Sequence, residues 1–452
     1  MASTPYARLA RRGVLPILAG VGVVLVGGFV RAADDTSTEN EAIEVAQARL
    51  LSEHGSTRAA RYATANKIVT LAGKTHAAWL DSISNTMVAT YDHASGEWGP
   101  AVHLGSGTDN HGGPALTCDG QGHLHAIFGP HGDVPFQHRR SARPNDASAW
   151  IALGRFGHHP TYPSVACDGE NTLHVIYRGG PTRGHPHKLI YQRKPKDGPW
   201  SDPRPLVEAP PGWKGYTHYH ASIAISPQGT LHVAYDVYYD GAAKRAGHMT
   251  SRDRGRTWTL ADATPLDLPV GIDSDAFFAR TDAAFKVLNC VCDSHDRPWI
   301  ALGDARTGAG PTVYHHDGQS WQSFCPGQRT SPEIAVGELG YECSLTVDRR
   351  DGIYVATTLG TTTTGGVHGH VVLLYSNDGG RRFRCVRVFP PDARLPHTGL
   401  SLERSTGHHL VEAPWLLFST GEKGPDCFGR GIHHRVHAVR FRALSGAASA
   451  GR

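Results

Sequence analysis

Two histidines, His111 and His131, stand twenty residues apart (131 − 111 = 20) in a stretch that begins Asp109-Asn110-His111-Gly112-Gly113-Pro114-Ala115-Leu116 and ends Phe128-Gly129-Pro130-His131-Gly132. Imidazole titrates near neutrality and can take or give a proton, so such a pair is a candidate acid/base site. The stretch reads as a loop, a short apolar strand from Ala115 to Cys118, an Asp-Gly turn, a second strand from Leu124 to Phe128, and a Gly-Pro loop. An antiparallel pair returns to the edge it left. His111, just before the first strand, and His131, just after the second, therefore belong on one rim.

The elements that must carry this rim recur along the chain. His123-Leu124-His125-Ala126-Ile127-Phe128 matches Lys74 to Trp79, Thr172 to Tyr177 and Thr230 to Tyr235, with weaker copies at Pro298 to Leu302, Gly352 to Ala356 and Pro414 to Phe418. The marker residues His76, His125, His174, His232, Trp299, Tyr354 and Trp415 are separated by between 49 (125 − 76) and 67 (299 − 232) residues. That is the size of one four-stranded propeller blade, and it predicts an all-β, seven-bladed β-propeller over residues 66–442. Ser251-Arg252-Asp253-Arg254-Gly255-Arg256-Thr257-Trp258 and Ser376 to Phe383 fit the Asp-box, a turn in which Ser and Asp bond their own backbone, Gly supplies positive φ and the aromatic plugs the hairpin. Such turns stabilise an outer edge and carry no chemistry.

The repeat also sorts the histidines. His76, His125, His174 and His232 hold one position in four units, and four blades cannot all place that side chain in one site, so these read as satisfied core groups. The offset of His111 from Asp119 gives Pro160, His218, Phe285 and Gly340 in other units, and the offset of His131 from His125 gives Ser82, Gly180 and Tyr238. His111 and His131 thus depart from the repeat, and His218 does so in part. Tyr177 and Tyr235 share a slot with Trp79 and Phe128, where an aromatic can be plain core, yet they end strands on the rim of His131. Arg193, in the following strand, reads by position as a solvated arginine.

Composition narrows the class. Charged residues are 19% and the formal charge is +4, which argues against a nucleic-acid polycation; 53 Gly and 29 Pro fit a chain rich in turns. Arg8, Arg11 and Arg12 precede an apolar run from Val14 to Val30 and a small-residue site at Ala32-Ala33, which predicts a signal peptide over 1–33 and a secreted or periplasmic protein, with Arg11-Arg12 hinting at the twin-arginine route. Residues 34–65 read as a linker or short helix, with a helical patch at Glu41 to Leu51, and 443–452 as a disordered tail. Of the eight cysteines, Cys118, Cys167 and Cys292 each precede an aspartate at equivalent repeat positions, so buried small hydrophobes are expected rather than a disulfide framework.

On Asn110 to Leu116, Phe128 to His131, the basic Gln137-His138-Arg139-Arg140-Ser141, and a Tyr and Arg in the next blade, the chain resembles the BNR-repeat propellers that include ulvan lyases and related rhamnosidases. The resemblance implies a polysaccharide lyase acting on an ulvan-like, uronate-containing substrate, with His111, His131, Tyr177 and Arg193 as the catalytic group and Tyr235, His218, Arg139 and Arg140 as substrate contacts. Under that likeness Arg193 neutralises the uronate carboxylate, and His111 or Tyr177 takes the C5 proton while the other protonates the leaving oxygen. The expected partner is an acidic polysaccharide, with no nucleic acid and no membrane after signal cleavage, bound by a monomer. No cofactor is expected for catalysis; a structural zinc or calcium has room among the histidines and turn aspartates, without a diagnostic spacing. The alternatives are an α-L-rhamnosidase-type hydrolase acting next to glucuronic acid, or a non-catalytic carbohydrate-binding propeller. The lyase expectation requires His111 and Arg193 to open onto one mouth.

Overall fold

Leu173–Gly179 is buried along its whole length, on both faces, and this explains why the repeat reads as apolar runs rather than as clean alternation. A strand in the middle of a sheet that is itself covered on both sides has no solvent face to mark with polar residues. The computed structural model describes residues 43–444 apart from 133, 181–185, 214–215, 240–241, 282–284, 305–309, 336, 364–365, 393 and 427. The described residues all fall in one unit, Asn40–Arg452. Among them the regular structure is strand, save a single 3-10 turn at Pro326–Arg329, and no helix is long and apolar enough to cross a membrane. The proposed signal segment lies outside the described residues, as does nearly all of the expected tail.

Four antiparallel sheets follow one another: Ala115–Cys118 to Asp146–Phe156, Ala221–Ile225 to Phe277–Arg280, Phe285–Cys292 to Trp321–Phe324, and Ser344–Val347 to Arg384–Phe389. A fifth, Thr161–Cys167 to Arg204–Glu208, gains Val270–Gly271 in parallel at its edge. The remaining strands form one ten-stranded sheet, in which Arg49–Gly55 pairs with His434–Ala443 on one side and meets Lys74–Asp81 through Gly55 and Asp81 on the other. First strands contact first strands in chain order, from Ile68–Leu71 through Ala115–Cys118, Thr161–Cys167 and Ala221–Ile225 to His397–Leu402.

The core lies between sheets. Ala115, Ile127, Phe136, Val165, Val175 and Tyr177 fill one layer, while Leu116, Ala126 and Phe128 turn to the layer before it. Successive side chains of a strand point to opposite faces, so each strand feeds two layers.

The expected helix at 41–51 is not formed: Ile43–Val45 and Arg49–Gly55 are strands. Both pair with His434–Ala443, and a ladder of sheet hydrogen bonds outweighs local helix preference. The Asp-boxes form as read: Ser251 Oγ donates to Asp253 at 2.8 Å and accepts from the Gly255 amide at 2.8 Å, with Trp258 buried, and Ser376, Asp378, Gly380 and Phe383 repeat the arrangement. The seven described cysteines are free, with Cys118, Cys167, Cys290 and Cys343 buried.

The recurrent histidines are absorbed at the turn end of the sheets. Asp119 Oδ1 caps its own turn by accepting from the amides of Gln121 and His123, while its Oδ2 meets His125 Nε2 at 3.2 Å. Asp168 and His174 do the same at 3.2 Å. These groups are spent on structure, and the opposite end of the strands is left for chemistry.

Candidate active site

The loop at Asp109 is shaped by that aspartate. Its Oδ1 accepts from the His111 amide at 2.7 Å, an Asx turn, and lies 2.9 Å from His111 Nδ1; its Oδ2 lies 2.6 Å from His131 Nδ1. The loop is tied down by Asn110, whose Nδ2 donates to Thr57 Oγ1 at 2.8 Å. Gly112 is required by crowding, since a Cβ there would lie 2.6 Å from the carbonyl oxygen of Gly129. One carboxylate therefore grips two imidazoles, whose rings stack with centroids 3.8 Å apart and an interplanar angle of 16°.

Burial pushes His111 down to about 4, against the pull of Asp109. Burial would raise Asp109, but the hydrogen bonds from both imidazoles and the His111 amide hold its carboxyl well below the usual range. His111 is thus neutral at neutral pH. Its Nε2 has no hydrogen bond among the described residues and is not sealed from solvent. Asp109, His111 and His131 could together hold a metal ion, their ligand atoms lying within 4.8 Å of one another. The contacts present are hydrogen bonds from imidazole to carboxylate, and a cation on the same nitrogens would have to replace both Nδ1 protons.

Next to the histidines stand two tyrosines. Tyr62 and Tyr162 have ring centroids 4.6 Å apart, and Tyr62 lies 6.2 Å from His111 and 5.9 Å from His220. Both occupy left-handed backbone, φ 68° and 57°, conformations that cost non-glycine residues energy and are kept where surrounding structure enforces them. For Tyr62 that structure is clear. The carbonyl of Thr64 accepts from Ser164 Oγ (2.6 Å), Ser222 Oγ (3.1 Å) and Arg404 Nη2 (2.7 Å), and Lys67 Nζ donates to the Tyr62 carbonyl at 2.8 Å. Burial raises the Tyr62 phenol to about 12, while Arg58, which donates to its oxygen at 2.6 Å, pulls the other way.

A cavity opens beyond Tyr62, lined by Arg58, Arg61, Tyr219, His220, Lys286 and Glu342 among others. Glu342 is held by Arg61 at 2.9 Å and accepts from the Gly399 amide at 3.1 Å. Behind His220, Asp236 accepts from the amides of Tyr219 and His220 at 2.7 and 3.1 Å, and burial raises its carboxyl to about 7. Arg178 is only 4% exposed, and its guanidinium sits 4.6 Å from the Tyr162 ring, 5.1 Å from Tyr219 and 5.2 Å from Tyr216. It makes no ion pair among the described residues, and its Nε and Nη1 lack hydrogen-bond partners.

Of the residues expected from sequence, the structure brings His111 and His131 together and disperses the rest. Tyr177 is buried with its ring edge-on to Phe136, and its hydroxyl donates to Gln192 at 2.6 Å; strand alternation turns it into the core and turns Arg178 toward Tyr216 and Tyr219. Arg193 pairs with His174, five residue steps from the Gly179 and Lys188 pair at the histidine end, or about 16 Å along the strand. Its Nη1 donates to the Arg254 carbonyl in an Asp-box. His111 and Arg193 therefore open onto opposite ends of the sheets, so the expected shared mouth is not formed, and a lyase site here must draw its arginine from elsewhere.

Tyr235 is fully buried with its ring over Gly247. Arg140 pairs with His125 and Arg139 with Ala126, in a third strand running away from the rim. His218 lies at the right end but is sealed, 1% exposed, with neither ring nitrogen partnered.

The residues that sequence reading missed leave a trace in the repeat. The position six before each turn residue reads Gly113, Tyr162, His220, Val287 and Glu342, and the position four after each marker histidine reads Leu80, Gly129, Arg178 and Asp236. Both slots vary sharply in chemistry where the scaffold alone asks for no such variation. Arg58, Arg61 and Tyr62 fall before the first repeat and carry no such signal.

Comparison with known proteins follows the same lines. An ulvan lyase from Alteromonas sp. (strain LOR) is 25% identical over 307 residues, 55% of this chain and 61% of that protein. An ulvan lyase from Pseudoalteromonas sp. (strain PLSV) is 23% identical over 317 residues, 58% of this chain and 63% of that protein. The matched segments thus span less than two thirds of these relatives. A solved ulvan lyase bound to -[GlcA(1-4)Rha3S]- superposes with a TM-score of 0.65 at 17% identity, covering 86% of this chain and 95% of that one, and shares its fold. Residues 74–329, more than half of the sequence, match the profile of BNR repeat-containing proteins, and the chain belongs to that family.

Proposed function

We propose that the protein is an exported polysaccharide lyase that cleaves a uronate-containing, ulvan-like polysaccharide by β-elimination. The observation that carries this reading is Arg178. A buried guanidinium with no carboxylate beside it among the described residues is costly unless a ligand supplies the anion, and this one lies against Tyr162, whose ring centroid is 6.0 Å from that of His111. The substrate carboxylate pairs with Arg178, which withdraws the charge that opposes loss of the neighbouring C5 proton. The neutral His111 takes that proton on Nε2. The electron pair left on C5 forms the C4–C5 double bond as the C4–O bond breaks, and a phenol of the Tyr62 and Tyr162 pair protonates the departing oxygen. Arg58 and Lys286 extend positive charge along the cavity for neighbouring acidic sugars. The names of the relatives point to the same substrate class.

The seven sequence repeats and the pairing of Arg49–Gly55 with His434–Ala443 support a seven-bladed propeller closed by the N-terminal strand. The alternative hydrolase needs a carboxyl group free to act as acid. Asp109 is occupied by two imidazoles, Glu342 by Arg61, and Asp236, although raised, is sealed from solvent behind His220, which favours elimination.

The test is incubation with a panel of uronate polysaccharides, following ultraviolet absorbance and reducing ends together. Both signals growing in step is the expected result. Reducing ends alone would mark hydrolysis, and neither signal, with binding retained, would mark a carbohydrate-binding module.

A further inference from the structure

Nothing in the sequence repeat singles out Asp109, yet each of its two oxygens meets Nδ1 of one histidine, at 2.9 and 2.6 Å. Oδ1 already accepts the His111 amide at 2.7 Å, and each oxygen faces a ring nitrogen, so the carboxylate is placed as an acceptor on both sides. An acceptor-only group facing Nδ1 of both His111 and His131 requires a proton on each of those nitrogens. A neutral imidazole carries one N–H, so in the neutral form of either ring Nε2 is the basic nitrogen. The rings stack with centroids 3.8 Å apart, so each braces the other on one face beside the shared carboxylate.

We propose that Asp109 is a positioning residue that locks His111 and His131 together in the Nδ1-protonated tautomer, aiming the lone pair of His111 Nε2 at the substrate. This deepens the lyase reading, and only its turnover arm rests on that reading. The two oxygens are not equivalent. Oδ1 also accepts the His111 amide, so an asparagine here keeps its carbonyl oxygen toward His111 and turns its NH2 toward His131. His131 Nδ1 would then face a donor and must give up its proton, while His111 would keep its own. A carboxylate that merely braced the loop would produce no such one-sided change.

The experiment uses the full chain labelled with 15N-histidine, with two-bond proton–nitrogen spectra distinguishing Nδ1–H from Nε2–H, and His111→Asn and His131→Asn to assign the signals. The expected wild-type result is Nδ1–H for both. In Asp109→Asn the His131 signal changes to Nε2–H and that of His111 does not. On a uronate polysaccharide kcat of this variant falls by roughly 10²-fold or more while KM moves by less than about threefold. Asp109→Glu, which keeps two acceptor oxygens, retains both tautomers and recovers part of the lost turnover.

An Nε2–H signal from either histidine in the wild type overturns the proposal, whatever the variants do. So does an unchanged His131 signal in a folded Asp109→Asn. One equivalent of zinc carried by the purified protein and lost in Asp109→Asn would also overturn it, in favour of a metal centre. If the tautomers are as stated but no polysaccharide is cleaved, the lyase reading fails and the positioning role stands.

Discussion

Arg178 sits where a protein optimised only for stability would not place it. Burying a guanidinium among three tyrosine rings, with no carboxylate beside it among the described residues, costs more than burying a methionine of similar length. Arg178→Met is expected to keep or raise the melting temperature while lowering kcat/KM by about 10²–10³-fold; thermal unfolding and turnover measured on one preparation separate the two. The residues assigned by resemblance alone give the opposite pattern. Arg193→Ala is expected to leave kcat within about threefold, because the side chain braces an Asp-box at the far end of its strand. Tyr177→Phe is expected to cost about 1 kcal/mol of stability through its lost bond to Gln192, with turnover unchanged, read from the denaturant midpoint. A loss of turnover in both variants would return the site to the arrangement expected from sequence.

At the scale of elements, the segment from Ser56 to Asn66 is held against first strands of several sheets. The Thr64 carbonyl takes hydrogen bonds from Ser164 and Ser222, and the guanidinium of Arg404 joins it to Ser222 and to the carbonyl of Cys290. Arg404→Met is expected to lower stability by about 1–3 kcal/mol, by leaving these groups short of a partner, and to reduce kcat by displacing Tyr62. Equilibrium unfolding and kinetics together check it. This anchor also explains what sequence could and could not disclose. Strand repeats, Asp-boxes and the rim placement of His111 and His131 are local and periodic, so they were legible. The segment at 56–66 has no periodic partner, and the helical patch before it, at 41–51, becomes strand only because a segment nearly four hundred residues later pairs with it (434 − 49 = 385). Tyr177 and Arg178 differ by one step along a strand, which reverses which of them meets the core, and spacing alone does not fix that register.

For the molecule as a whole, the histidines set the response to acid. Burial holds His138, His218, His220 and His248 well below the ordinary imidazole range, and His76 at about 4. Above the unfolded value of about 6.5 these groups are neutral in both states and exert no effect. Below it the unfolded chain binds protons that the folded chain refuses. Stability therefore falls as pH drops from about 6.5 toward 4, with a slope of about 1.4 kcal/mol per pH unit for each histidine still held neutral. Denaturant midpoints at pH 7.5, 6 and 5 check the direction, and a flat profile would mean the histidines are hydrated.

The pairing of Arg49–Gly55 with His434–Ala443 has a consequence for how the proposed site is assembled. Tyr62, one of the two tyrosines proposed to protonate the leaving sugar, lies seven residues beyond that strand (62 − 55 = 7), and the strand pairs only once His434–Ala443 is present. A chain cut before His434 would still hold its paired histidines but would leave Arg49–Gly55 without its partner strand, and Tyr62 less firmly placed beside them.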